Sequence, residues 1–116
     1  MRTIVLGNKE IGLKATPLAL LFYKQEFGAD LIGDLTKMSG VEKDLSKLDI
    51  VAILQMVWAM NKAYNGLGKA FPPFTKWLEE IESIDVTDPE FIGTIMAEAE
   101  DGFFRRAGGQ AKSANK

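Results

Sequence analysis

Residues 49–66 read DIVAILQMVWAMNKAYNG, and they decide the fold. Both ends carry helix signals. Asp49 is itself an N-cap type, and Ser46 with Asp49 three residues on offers an alternative start, a capping box with Asp in place of Glu. Gly66 and Gly68 supply the backbone freedom that stops a helix after Asn65. The first three turns are apolar almost all round: Ile50, Val51, Ile53, Leu54, Met56, Val57, Trp58 and Met60. A helix of this kind is either central to the fold or part of an interface. The apolar run Ile50–Met60 is broken by Gln55 and falls well short of the roughly 20 residues a membrane span needs.

Upstream, Thr3-Ile4-Val5-Leu6 and Ile11-Gly12-Leu13-Lys14 flank Gly7-Asn8-Lys9-Glu10. That order reads as a β-hairpin, which is marginal alone and must pack on a neighbour. Thr16-Pro17 opens a helix carrying Leu18, Leu21 and Phe22, and Gly28 closes it. A shorter helix is expected over Asp30–Met38, and Val41–Leu48 is charged and ambiguous. Downstream, Phe71-Pro72-Pro73 forms a rigid joint. Phe74, Trp77, Leu78 and Ile81 then fall on one helical stripe. Asp88-Pro89 starts a last helix with the stripe Ile92, Ile95, Met96, Ala99 and Phe103. The expected fold is mainly α (α+β): an N-terminal β-hairpin followed by a bundle of four to five helices. It forms one domain over residues 1–106, with a flexible basic tail over 107–116.

The chain has 116 residues, no Cys, no His and a net charge of −2. Disulfides, thiolate metal sites and every triad or metal site that needs His or Cys are excluded. The sequence carries no clear nucleic-acid signal: acidic residues dominate Glu79–Asp101, and four cations (Arg105, Arg106, Lys112, Lys116) follow without aromatics. Arg2 precedes only a short apolar run, so no secretory signal is visible and the protein is expected to stay where it is made. Gly66-Leu67-Gly68-Lys69 is not a phosphate loop, because Ala63 and Ala70 stand where that motif needs Gly and Ser or Thr. Asp85, Asp88 and Glu90 lack the alternating oxygens and central Gly of a calcium loop, and Asp88 reads better as a helix cap. Glu98, Glu100 and Asp101 read as a solvated helix face, with Asp101 able to pair with Arg105 one turn on. Trp58 and Met60 fit either plain core, the commoner fate, or an adaptable sticky surface. No catalytic residue, cofactor or metal ligand is assigned.

Taken together, the strand pair, the helix at Thr16-Pro17-Leu18, the long apolar helix ending near Lys62-Ala63-Tyr64 and the aromatic helix Phe74-Thr75-Lys76-Trp77-Leu78 resemble a known family. The chain is similar, over roughly residues 1–106, to the tail assembly chaperones of long-tailed bacteriophages and prophages. The likeness lies in size, element order and texture. It implies a non-enzymatic protein of the bacterial cytoplasm, absent from the mature virion, that binds the tape-measure protein and helps recruit tail-tube subunits. It also implies a homo-oligomer, action alongside a frameshift-extended form of the same chain, and neither membrane nor nucleic acid as a partner. The residues assigned to partner binding are Met56, Trp58, Met60, Phe74, Trp77, Arg105 and Arg106. Another small helical adaptor, such as a head or tail completion protein or a nucleic-acid-binding regulator, is the alternative. An enzyme using carboxylates, Lys, Ser or Tyr alone is a third class.

Overall fold

The computed structural model of the chain describes residues 1–7, 9–38, 49–85 and 88–104. Its elements are β1 (Arg2–Leu6), β2 (Lys9–Leu13), α1 (Pro17–Phe27), α2 (Leu31–Lys37), α3 (Ile50–Asn65), α4 (Phe74–Glu79) and α5 (Pro89–Ala99). A single π-helical turn, Glu100–Phe104, extends α5. An antiparallel hairpin followed by five helices is the expected class.

The long helix α3 sits at the centre. Asp49 is its cap, the carboxylate accepting the Ala52 N–H at 3.1 Å. The alternative start at Ser46, like the whole segment 39–48, lies outside the described residues. At the other end Gly66, with φ 86°, donates its N–H to the Lys62 carbonyl. From Ile53 to Ala63 every residue is buried except the half-buried Gln55 and Lys62. The all-round apolar pattern therefore means enclosure: α1, β2 and α4 all pack on this helix.

The hairpin register pairs Leu6 with Lys9, Ile4 with Ile11 and Arg2 with Leu13. The connection is thus two residues long, and Gly7 takes φ 63°, the positive angle that tight hairpin turns require. Ile4, Leu6, Ile11 and Leu13 turn inward and are buried. Helix α3 covers β2, and α5 packs against β1.

Helix α1 begins at Thr16-Pro17, but the Thr16 hydroxyl makes no cap bond; its carbonyl accepts from Ala19 instead. The buried stripe is Ala19, Phe22 and Tyr23, with Leu18 only partly covered and Leu21 exposed. Leu21 was expected on the inner face. The face chosen is the one that carries Tyr23, whose hydroxyl donates to Asp34 at 2.7 Å with Gln55 Oε1 3.2 Å away. This hydroxyl joins α1, α2 and α3. Asp30 caps α2 by accepting from Gly33, as expected of a helix opening there.

The acidic end of α5 departs most from the sequence reading. Glu98 is not on a solvated face. It is buried, its carboxylate accepting from the Ala15 N–H at 2.9 Å and from Arg2 at 2.9 Å. The Met1 amino nitrogen lies 3.1 Å from the same carboxylate. Asp101 pairs with Arg2, at 2.6 Å, while Arg105 lies outside the described residues. Both carboxylates, Asp101 foremost, raise the already high Arg2 pKa. Just beyond, the π turn brings Gly102 so close to Ala15 that a Cβ there would collide with the Ala15 carbonyl. The stripe itself is near expectation: Ile92, Ile95 and Ala99 are buried, Met96 and Phe103 partly so, and Phe91 joins them.

Two outcomes follow. Glu98→Ala leaves the buried Ala15 N–H without an acceptor and should lower unfolding free energy by about 1–3 kcal/mol in urea melts, with Glu98→Gln less harmful. Burial first, and the bond to Asp34 second, raise the Tyr23 phenol well above its ordinary value of 10.0. The unfolded chain releases that proton near pH 10 while the folded one keeps it. The stabilisation is therefore complete below pH 10 and is lost as pH rises toward the folded value. Urea melts at pH 9 and 11 should show this decline, and Tyr23→Phe should make it shallower.

Candidate partner-binding groove

Asn61 is the one uncharged polar side chain buried among the described residues, and it organises the end of α3. Its amide donates to the Gly12 carbonyl at 2.9 Å, and its Oδ1 accepts from Trp77 Nε1 at 3.2 Å. Beside it the Lys14 N–H donates to the Met60 carbonyl at 3.1 Å. Helix α3 thus satisfies the free edge of β2 while holding α4 in place. Asn65 closes the turn by donating to the Asn61 carbonyl.

Helix α4 is fixed from two further directions. Pro73 stands at its N-cap position and offers no side-chain acceptor, so Glu26 of α1 reaches across and accepts the Phe74 N–H at 2.8 Å. The Trp58 indole donates to the Pro72 carbonyl at 3.0 Å, which pins the proline joint to α3. Aromatic rings fill the space between: Phe27 meets Tyr23, Trp58 and Phe74 edge to face at 4.9–5.5 Å. Phe74 stacks on Trp77, and Phe71 on Trp58 closes the set. The Lys62 ammonium lies 4.4 Å from the Phe22 ring centre and 5.1 Å from that of Trp58, so even the one cation of α3 rests on ring faces.

Between β2, the last turns of α3 and α4 this frame leaves an open groove of about 310 Å³. Asn61 and Trp77 form its polar floor. Ile11, Tyr64, Phe71 and Ile81 supply apolar walls. Lys9 and Glu80 bridge the rim at 3.2 Å, an exposed pair worth little energetically. The Tyr64 ring lies over Gly12, where a Cβ would sit 2.5 Å from a ring atom. Only glycine lets the ring rest on the strand. Tyr64 and, past the helix end, Leu67 remain exposed. The floor groups are bonded to one another, and Lys9, Glu10, Asn65 and Glu80 stand beside the apolar walls, so the groove offers a partner apolar and polar contact in similar measure.

Of the residues that the sequence assigns to partner binding, only Trp77 lines this groove among those described. Met56, Trp58 and Met60 are each 1% exposed and belong to the core. Phe74 is buried in the aromatic cluster, and of the five only Trp77 touches the groove. Packing of α1, β2 and α4 around α3 leaves only Val51 exposed in its first three turns. Arg105 and Arg106 lie outside the described residues. One residue that lines the groove had a faint signal: a glycine inside a strand, Gly12, marks close approach.

Among the described residues no three acidic groups gather to hold a metal ion. Asp88 instead caps α5, accepting from Glu90 N–H at 2.9 Å. No helix among them is long and apolar enough to cross a membrane. No family model matches the chain, and neither does any curated protein or solved structure.

Asn61→Ala should cost about 2–4 kcal/mol, since it strands both the Trp77 N–H and the Gly12 carbonyl. Tyr64→Ala, at a half-exposed ring, should cost far less. Chemical denaturation of both variants checks this order.

Proposed function

We propose that this chain is a non-enzymatic tail assembly chaperone of a long-tailed bacteriophage or prophage, and that the groove between α3 and α4 seats an amphipathic helix of the tape-measure protein. The observation that carries the reading is the groove itself: Ile11, Tyr64, Phe71 and Ile81 stand over a floor whose polar groups bond to one another, with Lys9, Glu10 and Glu80 alongside, a mixed lining that suits an amphipathic helix. Such a surface takes the apolar side chains of a helix without competing for its backbone. Tape-measure proteins are long and amphipathic, and their exposed stripes aggregate unless covered. The element order supports the same family. Recruitment of tail-tube subunits, self-association and joint action with a frameshift-extended form belong to this proposal.

The test is co-expression of the tagged chain with the tail genes of its source, followed by affinity purification. The tape-measure protein, with the tube subunit, should copurify. Ile81→Glu and Tyr64→Ala should each reduce its recovery at least tenfold, a loss of about 1.4 kcal/mol or more, with the fold intact by circular dichroism. Recovery of the chain alone contradicts the proposal. Recovery with nucleic acid that salt releases favours the regulator instead.

A further inference from the structure

Among the described residues, one edge of β1 is uncovered. Along an antiparallel strand, successive residues turn their backbone groups to opposite edges. Gly12 and Lys14 turn theirs toward α3, where Asn61 and Met60 meet them. Thr3 stands opposite Gly12, and Val5 opposite Glu10. The N–H and C=O groups of Thr3 and Val5 therefore point away from β2, and among the described residues nothing bonds to them. Both side chains are exposed. Protected edges carry Lys, Pro or a bulge; this one carries two β-branched residues and stays open.

Beside this edge lies an open recess of about 600 Å³ between β1 and α5. Pro89, Gly93 and Ala97 recur along it at intervals of four, and a Cβ on Gly93 would meet nothing within 4 Å. The two charges at the recess differ in state. Arg2 is neutralised by Glu98 and Asp101. The Glu90 carboxylate has no cation among the described residues, so the lip is negative.

We infer that the Thr3–Val5 edge takes one extended segment of a partner protein as a third strand, with alternate apolar side chains turned into the recess and a Lys or Arg beside Glu90. Backbone bonds to Thr3 and Val5 give affinity, and the recess gives selectivity. A second copy of this chain is a poorer occupant. Its Ile4 and Leu6 already fill its own core, which leaves Val5 as the one apolar side chain its β1 can turn toward the recess. The inference is independent of the α3–α4 groove and stands or falls apart from the chaperone proposal.

The probe is an acetylated, amidated heptapeptide, Lys-Val-Thr-Val-Thr-Val-Lys, titrated into the full chain and followed by amide NMR. The Thr3, Val5, Gly93 and Ala97 signals should shift, and hydrogen exchange at Thr3 and Val5 should slow at least tenfold. The same peptide N-methylated at its Val and Thr residues should not bind. Gly93→Leu fills the recess from an exposed helix position and should weaken binding at least tenfold. Four results overturn the inference: no shift at Thr3 and Val5 at millimolar peptide, equal binding by the N-methylated peptide, unchanged affinity in Gly93→Leu, or slowed exchange at Thr3 and Val5 on concentrating the protein alone. The last assigns the edge to a second copy.

Discussion

The Asn61 amide is the interaction on which the rest of the structure depends. A two-stranded hairpin has no stability of its own, and its outer strand β2 presents backbone groups that must find partners. Asn61 answers the Gly12 carbonyl with its donor and the Trp77 indole with its acceptor. One side chain thereby sets the distances among β2, α3 and α4. In a low-dielectric interior a satisfied network of this kind specifies one arrangement, and a half-satisfied one is costly. The amide lies on the floor of the groove and ties α3 to α4 there, alongside the Trp58–Pro72 bond and the aromatic packing.

The opposite flank repeats the logic with charge. Glu98, buried on α5, holds Arg2 of β1 and the backbone of Ala15. The hairpin is thus clamped at one edge by an amide and at its start by a carboxylate, while apolar burial on α3 supplies the bulk of the driving force. Beside these clamps lie two features of the surface: a groove of mixed lining at the end of α3 and, among the described residues, an uncovered strand edge at Thr3–Val5. The two differ in kind, since one presents side chains and the other presents backbone.

Local chemistry made the elements legible. Asp49, Gly66, Asp30, Gly28 and the Asp88-Pro89 pair mark helix ends through bonds made within a few residues, so they can be read from spacing alone. That α3 and the Trp77 helix are neighbours was legible for the same reason, since they follow one another across a short proline joint. The lining of the groove between them was not. Met56, Trp58 and Met60 look available on a helical wheel, and only the packing of α1 and β2 around α3 removes them. Glu98 shows the limit most clearly: its partners Arg2 and Ala15 lie 96 and 83 residues away in the chain, and no periodicity in α5 separates a buried carboxylate from a solvated one. Leu21 gives way on the inner face of α1 because Tyr23 has hydrogen-bonding partners on two other helices.

Backbone amide exchange on the chain with and without a tape-measure protein, the partner we propose, tests the central claim most directly. Protection confined to residues 9–12, 64–68 and 77–81, with α5 unchanged, is the result this account predicts. Protection that misses these segments and spreads instead over α1 and α2 would contradict it, because the partner would then be held by a surface other than the groove at Asn61.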